Sequence, residues 1–586
     1  MKQHIQELVS QALHDLRRDG VLSADLDTQV QIERCRNPEH GDYACNIAML
    51  LAGQVGMDSR ELAETIRDRL HQSRHVASVE VAGPGFLNFT LSMLCLVNGI
   101  KEILEHGENY GRKPAGSAAR VTVEFVSANP TGPLHVGHGR GAAYGASLAA
   151  ILEAAGFDVQ REYYVNDNGR QMDILAVSVW LRYLELCGEQ PEFPANGYQG
   201  DYVYEIARKV RKQQGDRLRL KPAKVSDGLP PDEPDGGDRE KYIDALIQRA
   251  RALLGDDGFA ACLDVTLDAM LEEIRSDLEE FGVVFDRWFS ERELEKSGAI
   301  KQAIESLRKA GHLYEHEGAL WFRATQFGDE KDRVVVRENG RSTYFASDIA
   351  YLANKLERGF NPAIYVFGAD HHGYIKRLKA AASGLGYAPE SIEILLVQFA
   401  ILRRGQDKIP MSTRKGEFYT LRLLREEVGR DAARFFYVLR SHEQHLDFDV
   451  ELAKTQGQDN PVYYIQYAHA RIASVFRMLD QEALQHNQAI GMAALKKLEA
   501  PHERKLLRTL GRYPEVIEKA ATLRSPHILA HYLHEVATDF HTYYNAEKFI
   551  VDEENLRNAR LNLCLAVAQI IRNGFALLGV SAPESM

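Results

Sequence analysis

Residues 121–165 place a buried strand, a small-residue helix and a second strand in direct succession. "VTVEFVS" (Val121–Ser127) is a β-prone run, "HGRGAAYGASLAAILEAAG" (His138–Gly156) is helical and stopped by glycine, and "FDVQREYYV" (Phe157–Val165) is extended again. A strand that reaches its neighbour through a crossover helix runs parallel to it. Parallel sheets are covered by helices on both faces. The predicted fold of this region is therefore α/β, with a parallel sheet beginning here.

The turn into that helix reads "ANPTGPLHVGHGRG" (Ala128–Gly141). Packing accounts for the strand and the helix, but not for His135 and His138 at the helix mouth. In open α/β sheets this is where nucleotides bind, because free backbone N–H groups and the helix dipole favour phosphate. Gly137, Gly139 and Gly141 lack a Cβ, so a purine or phosphate could approach the backbone closely. Two imidazoles could donate hydrogen bonds to phosphate oxygens as a pyrophosphate bond breaks. Two ordinary histidines at a helix start are the alternative.

The strand–helix rhythm returns in "STYFASDIAYLANKLERG", "AIYVFGADHHGYIKRLKAAASGLG" and "IEILLVQFAIL". From about Thr455 onward only helical periodicity is convincing, which predicts an all-α bundle over 455–586. Residues 1–112 mix helix and strand patterns around a Gly-Pro-Gly turn, which predicts a separate α+β domain. "GRKPAGSAAR" (Gly111–Arg120) reads as a linker, leaving 113–454 as the sheet domain with an insertion at about 187–270. Within that insertion "VSDGLPPDEPDGGDRE" (Val225–Glu240) is rich in proline, glycine and acid, and is expected to be a mobile loop. No apolar run stands out as long enough to cross a bilayer. The amphipathic, acid-bearing start "MKQHIQELVSQALHDLRRDG" predicts a folded helix and not a cleaved signal. Six cysteines without a C-x-x-C pair argue against a disulfide framework and against a protein-built metal site, and point to the cytoplasm. The net charge of −12 means that a nucleic-acid partner must meet local basic surface. Ala207–Lys224, with eight cations against one acid, offers such surface, although a solvated helix face explains it equally well.

"HVGH" resembles the HIGH motif of class I aminoacyl-tRNA synthetases, and "KIPMSTRKGE" (Lys408–Glu417) resembles their KMSKS loop. Cytidylyltransferases carry HIGH-like pairs too, but they are small and lack a long helical C-terminal half. "EFVSANPTGPLHVGH", "FASDIAYLANKLERG", "GADHHGYIKRLKAA", "NPVYYIQYAHARI" and "LLGVSAP" closely resemble the arginyl-tRNA synthetases of bacterial type, and the likeness covers essentially the whole chain. It implies a class I Rossmann-like catalytic domain, an N-terminal domain that contacts the tRNA D-loop, and a helical anticodon-binding domain. It implies ATP-dependent activation of L-arginine to arginyl-adenylate, then transfer to the 3′ end of tRNA(Arg). ATP brings Mg²⁺ to neutralise its phosphates. A monomer is the family's default, no membrane is implied, and members often need tRNA before they activate the amino acid.

By the same resemblance, His135, His138 and Gly137 belong to the ATP site. Met411 and Ser412 align with the second motif, but Pro410 and Thr413 stand where lysines are expected. Arg414, Lys415 or Lys408 would then supply the charge facing the triphosphate. Asp348 of "YFASD" and Glu291 of "FDRWFSERE" match the acids that hold the guanidinium, with Tyr344 as an aromatic wall. A planar guanidinium with five donors is best held by carboxylates in fork geometry. Ser127, Asn129 and His135 match positions that grip the α-amino and carboxylate groups, and His371 stands where some members carry glutamine. Glu124 lies in the same motif, with a structural role equally open. For tRNA, Asn88 of "FLNF" matches a base-reading position. Tyr463, Tyr467 and Arg471 recur every four residues on one stripe, where core packing is the alternative to RNA contact. Tyr543, Tyr544 and Met586 are further candidates. Two rivals stand beside this reading: a non-catalytic tRNA-binding paralogue, and a class I synthetase for another amino acid such as cysteine.

Overall fold

The computed structural model describes residues 1–23, 29–35, 37–409 and 419–586. The N-terminal part forms a four-stranded antiparallel sheet from β1 (Ile32–Arg34), β2 (Tyr43–Cys45), β3 (Val76–Ala82) and β4 (Phe86–Leu91), in the order β1-β2-β4-β3. The Gly-Pro-Gly turn joins β3 to β4. Gly85 has φ +126°, and a Cβ there would come within 2.6 Å of the Ser59 carbonyl, so only glycine fits. Helices Lys2–Arg18 and Ser59–Arg69 cover this sheet, the second capped by Asp58, which accepts from the N–H groups of Arg60 and Glu61.

The expected parallel sheet is present. β5 (Arg120–Glu124), β6 (Asp158–Val165) and β7 (Arg287–Ser290) pair in parallel, Val121 opposite Val159 and Tyr163 opposite Trp288. A three-stranded antiparallel sheet, β8 (Leu313–His316), β9 (Ala319–Phe322) and β10 (Arg333–Val336), interrupts the run. β11 (Ala363–Gly368) and β12 (Ile392–Val397) then complete the five-stranded order β12-β11-β5-β6-β7. The crossover helix Val136–Ala154 is built from small residues because it lies hard against its neighbours. A Cβ on Gly145 would sit 2.3 Å from the Phe125 ring, and one on Gly139 only 2.7 Å from Tyr437. The glycine at 139 therefore serves helix packing and not ligand approach, which corrects the reading for that position. At Gly141 the space is open.

The insertion has its own apolar core under helices Arg170–Leu186, Asp201–Gln214 and Arg239–Glu280. Residues 225–240 are more ordered than their composition suggests. They include the end of the helix Pro222–Ser226, the 3-10 turn Glu233–Asp235 and the start of the long helix. Asp232 is buried and pins the segment by accepting from Ala195 N–H (2.7 Å) and Glu233 N–H (2.7 Å).

A second small sheet, β13 (Ala400–Arg404), β14 (Asp407–Lys408) and β15 (Leu446–Asp449), follows the parallel sheet. Beyond it the described residues hold only helices: the short Val450–Lys454 comes first, then Pro461–Gln481, where Asn460 caps and Pro461 takes the first helical position. The last helix, Glu554–Leu578, corrects one expectation. With mean hydropathy 1.5 over its best window it is long and apolar enough to cross a membrane by length and composition. However, 78% of that window is buried, so it is the central helix of the bundle. One continuous apolar core runs from the N-terminal sheet through one face of the parallel sheet into this bundle.

Candidate active site

His135 caps the crossover helix and His138 occupies its first turn. The His135 ring accepts the Gly137 N–H at Nδ1 (3.1 Å), and the His138 ring accepts the His135 N–H at Nδ1 (3.3 Å). A backbone N–H can only donate, so each neutral ring carries its proton on Nε2. The rings stack with centroids 3.8 Å apart. Burial lowers the pKa of His135, and burial together with the His135 charge pushes His138 down to about 3. The pair is thus neutral near pH 7, presenting two Nε2–H donors and no positive charge.

The turn is held from several sides. Val136 N–H donates to Tyr419 O (3.1 Å) and Leu421 N–H to Leu134 O (2.8 Å), so the segment just after residues 410–418 is laced to the histidine turn. Pro410, Met411, Ser412, Thr413, Arg414 and Lys415 lie outside the described residues. Lys408 is described, exposed on β14. Arg140, fully buried, donates to the carbonyls of Gln398 (2.7 Å), Gln444 (2.8 Å) and Ser441 (2.8 Å) and so fixes the helix start.

The acids stand along the same carboxyl edge of the sheet. Glu291 begins the helix Glu291–Lys296 directly after β7, and Asp348 lies in the helix Tyr344–Glu357. Glu291 is pushed up to about 7 by burial and by the Asp167 charge. Asp348 is pushed up to about 7 by burial and by Glu291, against the opposing pull of Arg377. One carboxylate oxygen of Asp348, Oδ2, is buried with no hydrogen-bond partner among the described residues. Two mutually repelling acids, one with an orphaned oxygen, form a site that a cation would relieve. Tyr164 on β6 hydrogen-bonds Glu291 and feels both acids. Tyr344 is exposed at the mouth of a cleft of about 780 Å³ shared with Glu291, Gly169 and Ser347. His371, exposed in the turn Ala369–Gly373, stands 5.8 Å from Tyr374, whose hydroxyl in turn feels Asp348.

The cleft of Glu291 and Tyr344 does not itself include His135 or His138. On the acids' side a short chain of side chains extends from Glu291. Asn129 contacts the Asn166 carboxamide (3.1 Å), whose nitrogen, turned to donate, reaches Glu291 Oε2 (2.7 Å). Sequence reasoning missed Asn166 and Tyr164; the signal available was their place at the carboxyl end of β6.

Val126 (φ +68°) and Ser127 (φ +40°) are consecutive non-glycine residues in the left-handed region, a strain of about 1–3 kcal/mol each. Ser127 Oγ donates to Glu124 Oε1 (3.1 Å) and accepts from Tyr164 N–H (3.1 Å). Its hydroxyl is therefore committed to the framework, and what it offers a substrate is backbone. Glu124 is buried and ion-paired with the fully buried Lys355, which also faces Glu162 (3.7 Å). Arg358 completes the cluster at 2.7 Å from Glu162. Of the roles open to Glu124, this geometry favours the structural one.

On the candidate RNA side, Asn88 sits on β4 opposite Ala44 and Glu80 and is only 8% exposed. The aromatic stripe is surface and not core. Tyr463 and Tyr467 stack at 6.1 Å, and the Arg471 guanidinium lies over the rings of Tyr467 (4.5 Å) and Tyr544 (4.7 Å). Tyr543, by contrast, is fully buried against Glu503, which removes it as a contact. Tyr463 and Met586 line a common cleft of about 1020 Å³.

Three family models match the chain. These are the arginyl tRNA synthetase N-terminal domain at residues 3–91, the catalytic domain of class I (R) tRNA synthetases at 99–192 and 269–445, and the DALR anticodon binding domain at 465–586. The chain is 58% identical over 586 residues to an arginine–tRNA ligase of Thioalkalivibrio sulfidiphilus, covering 100% of both chains. It is 56% identical to one of Halorhodospira halophila and 54% to one of Legionella pneumophila, again at full coverage. The Thermus thermophilus arginyl-tRNA synthetase structure superposes with a TM-score of 0.75 over 100% of both chains at 23% identity, a likeness of fold.

Proposed function

The chain belongs to the arginyl-tRNA synthetases, and from that premise we propose which of its residues do the work. It is an arginine–tRNA ligase of class I that consumes ATP. The observation that carries our assignment is the acid pair of the buried Glu291 and the half-buried Asp348, both with pKa raised to about 7 and Asp348 with a buried, orphaned oxygen. A guanidinium entering between them would satisfy that oxygen, cancel the repulsion and pull both acids back toward ordinary values. Lysine's compact ammonium cannot fill two forks at once.

In this reading arginine lies with its side chain between the acids and its α-carboxylate toward Asn129 and His135. An oxygen of that carboxylate attacks the α-phosphorus of ATP. The bond to the β-phosphate oxygen breaks, and pyrophosphate leaves with the electron pair. His135 and His138, neutral and each with a proton on Nε2, donate hydrogen bonds to phosphate oxygens as charge builds there. The 3′-terminal ribose hydroxyl of tRNA(Arg) then attacks the arginyl carbonyl, and AMP leaves. Lys415 and Arg414, with Met411 and Ser412, are assigned to the triphosphate by motif alone. Mg²⁺ accompanies ATP as its counter-ion. Among the described residues no three acid, histidine or cysteine side chains converge on a cation, so no step is routed through it.

We assign residues 1–112 to D-loop contact, 113–454 to catalysis and 455–586 to the anticodon, with the exposed Tyr467 and Met586 and the half-buried Tyr463 and Arg471 as contacts. Work as a cytoplasmic monomer completes the proposal, supported by six unpaired thiols and by relatives that serve translation. Charging of total tRNA with each of the twenty amino acids tests it. Arginine alone should be esterified, and ATP–pyrophosphate exchange should appear with cognate tRNA.

A further inference from the structure

Between the helix Arg430–Val438 and β15 the chain makes a loop, and its carbonyls at Ser441 and Gln444 are among those that Arg140 holds. This loop and the first two turns of the helix His527–Ala546 border a cleft of about 450 Å³. None of its residues belongs to the assigned active site. Its polar lining is Arg440, Ser441 and Gln444 from the loop, with His527, His531 and His534 from the helix. Positions i, i+4 and i+7 fall on one face of a helix. The three imidazoles therefore share one wall of the cleft, with the rings of His527 and His531 6.0 Å apart.

Every titratable side chain that lines the cleft is basic. Arg440 is exposed and forms no ion pair among the described residues. The acids nearby are engaged elsewhere: Glu535, next to His534 in the chain, pairs with Arg512 (2.6 Å), and Glu393 pairs with Arg524 (3.0 Å). Glu393 and Glu443 act instead on His442, the buried histidine of the loop, where Arg140 opposes them. Burial, His531 and His442 lower the pKa of His527; burial and His531 lower that of His534. No carboxylate is among the causes of either shift. The helix Pro461–Gln481 brings the Tyr464 ring to 5.2 Å from His534. The helix His527–Ala546 itself adds to the imbalance, because its start has no acid in the first turn and no side-chain cap, so the positive end of its dipole is uncompensated.

We propose that this cleft is a phosphate-binding site, in which Arg440, His527, His531 and His534 hold one phosphate group and Ser441 and Gln444 add neutral donors. The group is supplied by a phosphodiester of bound RNA or by free phosphate or pyrophosphate, which share the same chemistry. A guanidinium fork matches two phosphate oxygens. The imidazoles repel one another when charged, and an anion between them favours their protonated form. Binding therefore takes up protons and strengthens as the pH falls.

The test is calorimetry on the full-length protein, with a non-hydrolysable ATP analogue at saturation to keep the nucleotide turn occupied. Sulfate serves as the probe, because its charge is the same at pH 8 and at pH 6 and any pH dependence then belongs to the protein. Its affinity should rise about tenfold from pH 8 to pH 6. At pH 6, Arg440→Gln should lower it by about tenfold or more, and so should His531→Gln combined with His534→Gln. These side chains are exposed, so the thermal midpoint should not move. Once that loss is measured, the salt dependence of tRNA(Arg) binding separates the sources. If the phosphate belongs to RNA, the slope of log Kd against log salt falls by about one in Arg440→Gln. If that slope is unchanged while pyrophosphate binding falls with sulfate binding, the occupant is the free anion. Either result supports the site. The proposal is overturned if parent and variants show the same sulfate affinity, or if sulfate binding does not depend on pH, as for three histidines that merely face solvent.

Discussion

Replacing Asp348 by asparagine should damage arginine use and, in the empty protein, increase stability. The first effect follows from the buried carboxylate. Removing one partner of a buried, hydrogen-bonded ion pair costs about 3–5 kcal/mol, which is on the order of 10²- to 10⁴-fold in kcat/KM for arginine. The second follows from its raised pKa. Below pH 3.8 the acid is protonated folded or unfolded and carries no penalty, whereas above about 7 the folded protein bears the full cost of an unpartnered charge. The rise from 3.8 to about 7 corresponds to roughly 4 kcal/mol at about 1.4 kcal/mol per pH unit. Asparagine carries no charge but leaves an unpartnered amide in the same place, so the relief should be on the order of 2 kcal/mol. The assays are arginine-dependent ATP–pyrophosphate exchange in the presence of tRNA, and thermal unfolding of ligand-free protein from pH 5 to 8. Asparagine should raise the thermal midpoint at pH 8, with the gain shrinking toward pH 5. The reasoning is refuted if arginine kinetics are unchanged, or if the variant is less stable than the parent at pH 8.

Arginine binding should release protons between pH 6 and 7.5, because both acids sit near 7 when empty and fall when paired; calorimetry in buffers of different ionisation heat reads this directly, and affinity should rise with pH over the same range. His138→Asn should lower kcat by about 10²-fold with little change in KM for arginine. Since His138 is held at about 3, kcat should show no titration of His138 between pH 6 and 8. Lys355→Met leaves Glu124 and Glu162 buried and less compensated, and should destabilise the fold by about 3–5 kcal/mol in urea unfolding. Removal of Met586 together with Tyr463→Ala should raise KM for tRNA about tenfold or more, leaving KM for arginine within twofold of the parent.

Local pattern carried the parallel sheet, because strand, small-residue helix and strand stand adjacent in the chain and their pairing needs no distant partner. It also exposed the two histidines, whose spacing around glycine has no packing motive. The acids were different. Nothing about periodicity distinguishes Asp348 from a surface aspartate, and only family likeness singled it out; its raised pKa owes part of its size to Glu291, which arrives from elsewhere in the chain. The glycine at 139 was misread for the same physical reason, since Tyr437, which fills its empty Cβ position, lies on another helix. Residues 225–240 have the composition of a loop, yet Asp232 finds Ala195 N–H on a distant turn and the segment is fastened. Long-range partners decide such cases, and composition does not report them. The exposure of the Tyr463–Tyr467 stripe was likewise undecidable until the bundle's packing placed it outside.

The claim that charge, read by the acids Glu291 and Asp348, selects the amino acid is tested most directly with citrulline. Its ureido group has the planar shape of a guanidinium and no charge. The ratio of kcat/KM for arginine over citrulline should be about 10³ or more, and Glu291→Gln should narrow it at least tenfold. A parent enzyme that uses both at similar rates, or a ratio untouched by Glu291→Gln, would contradict it.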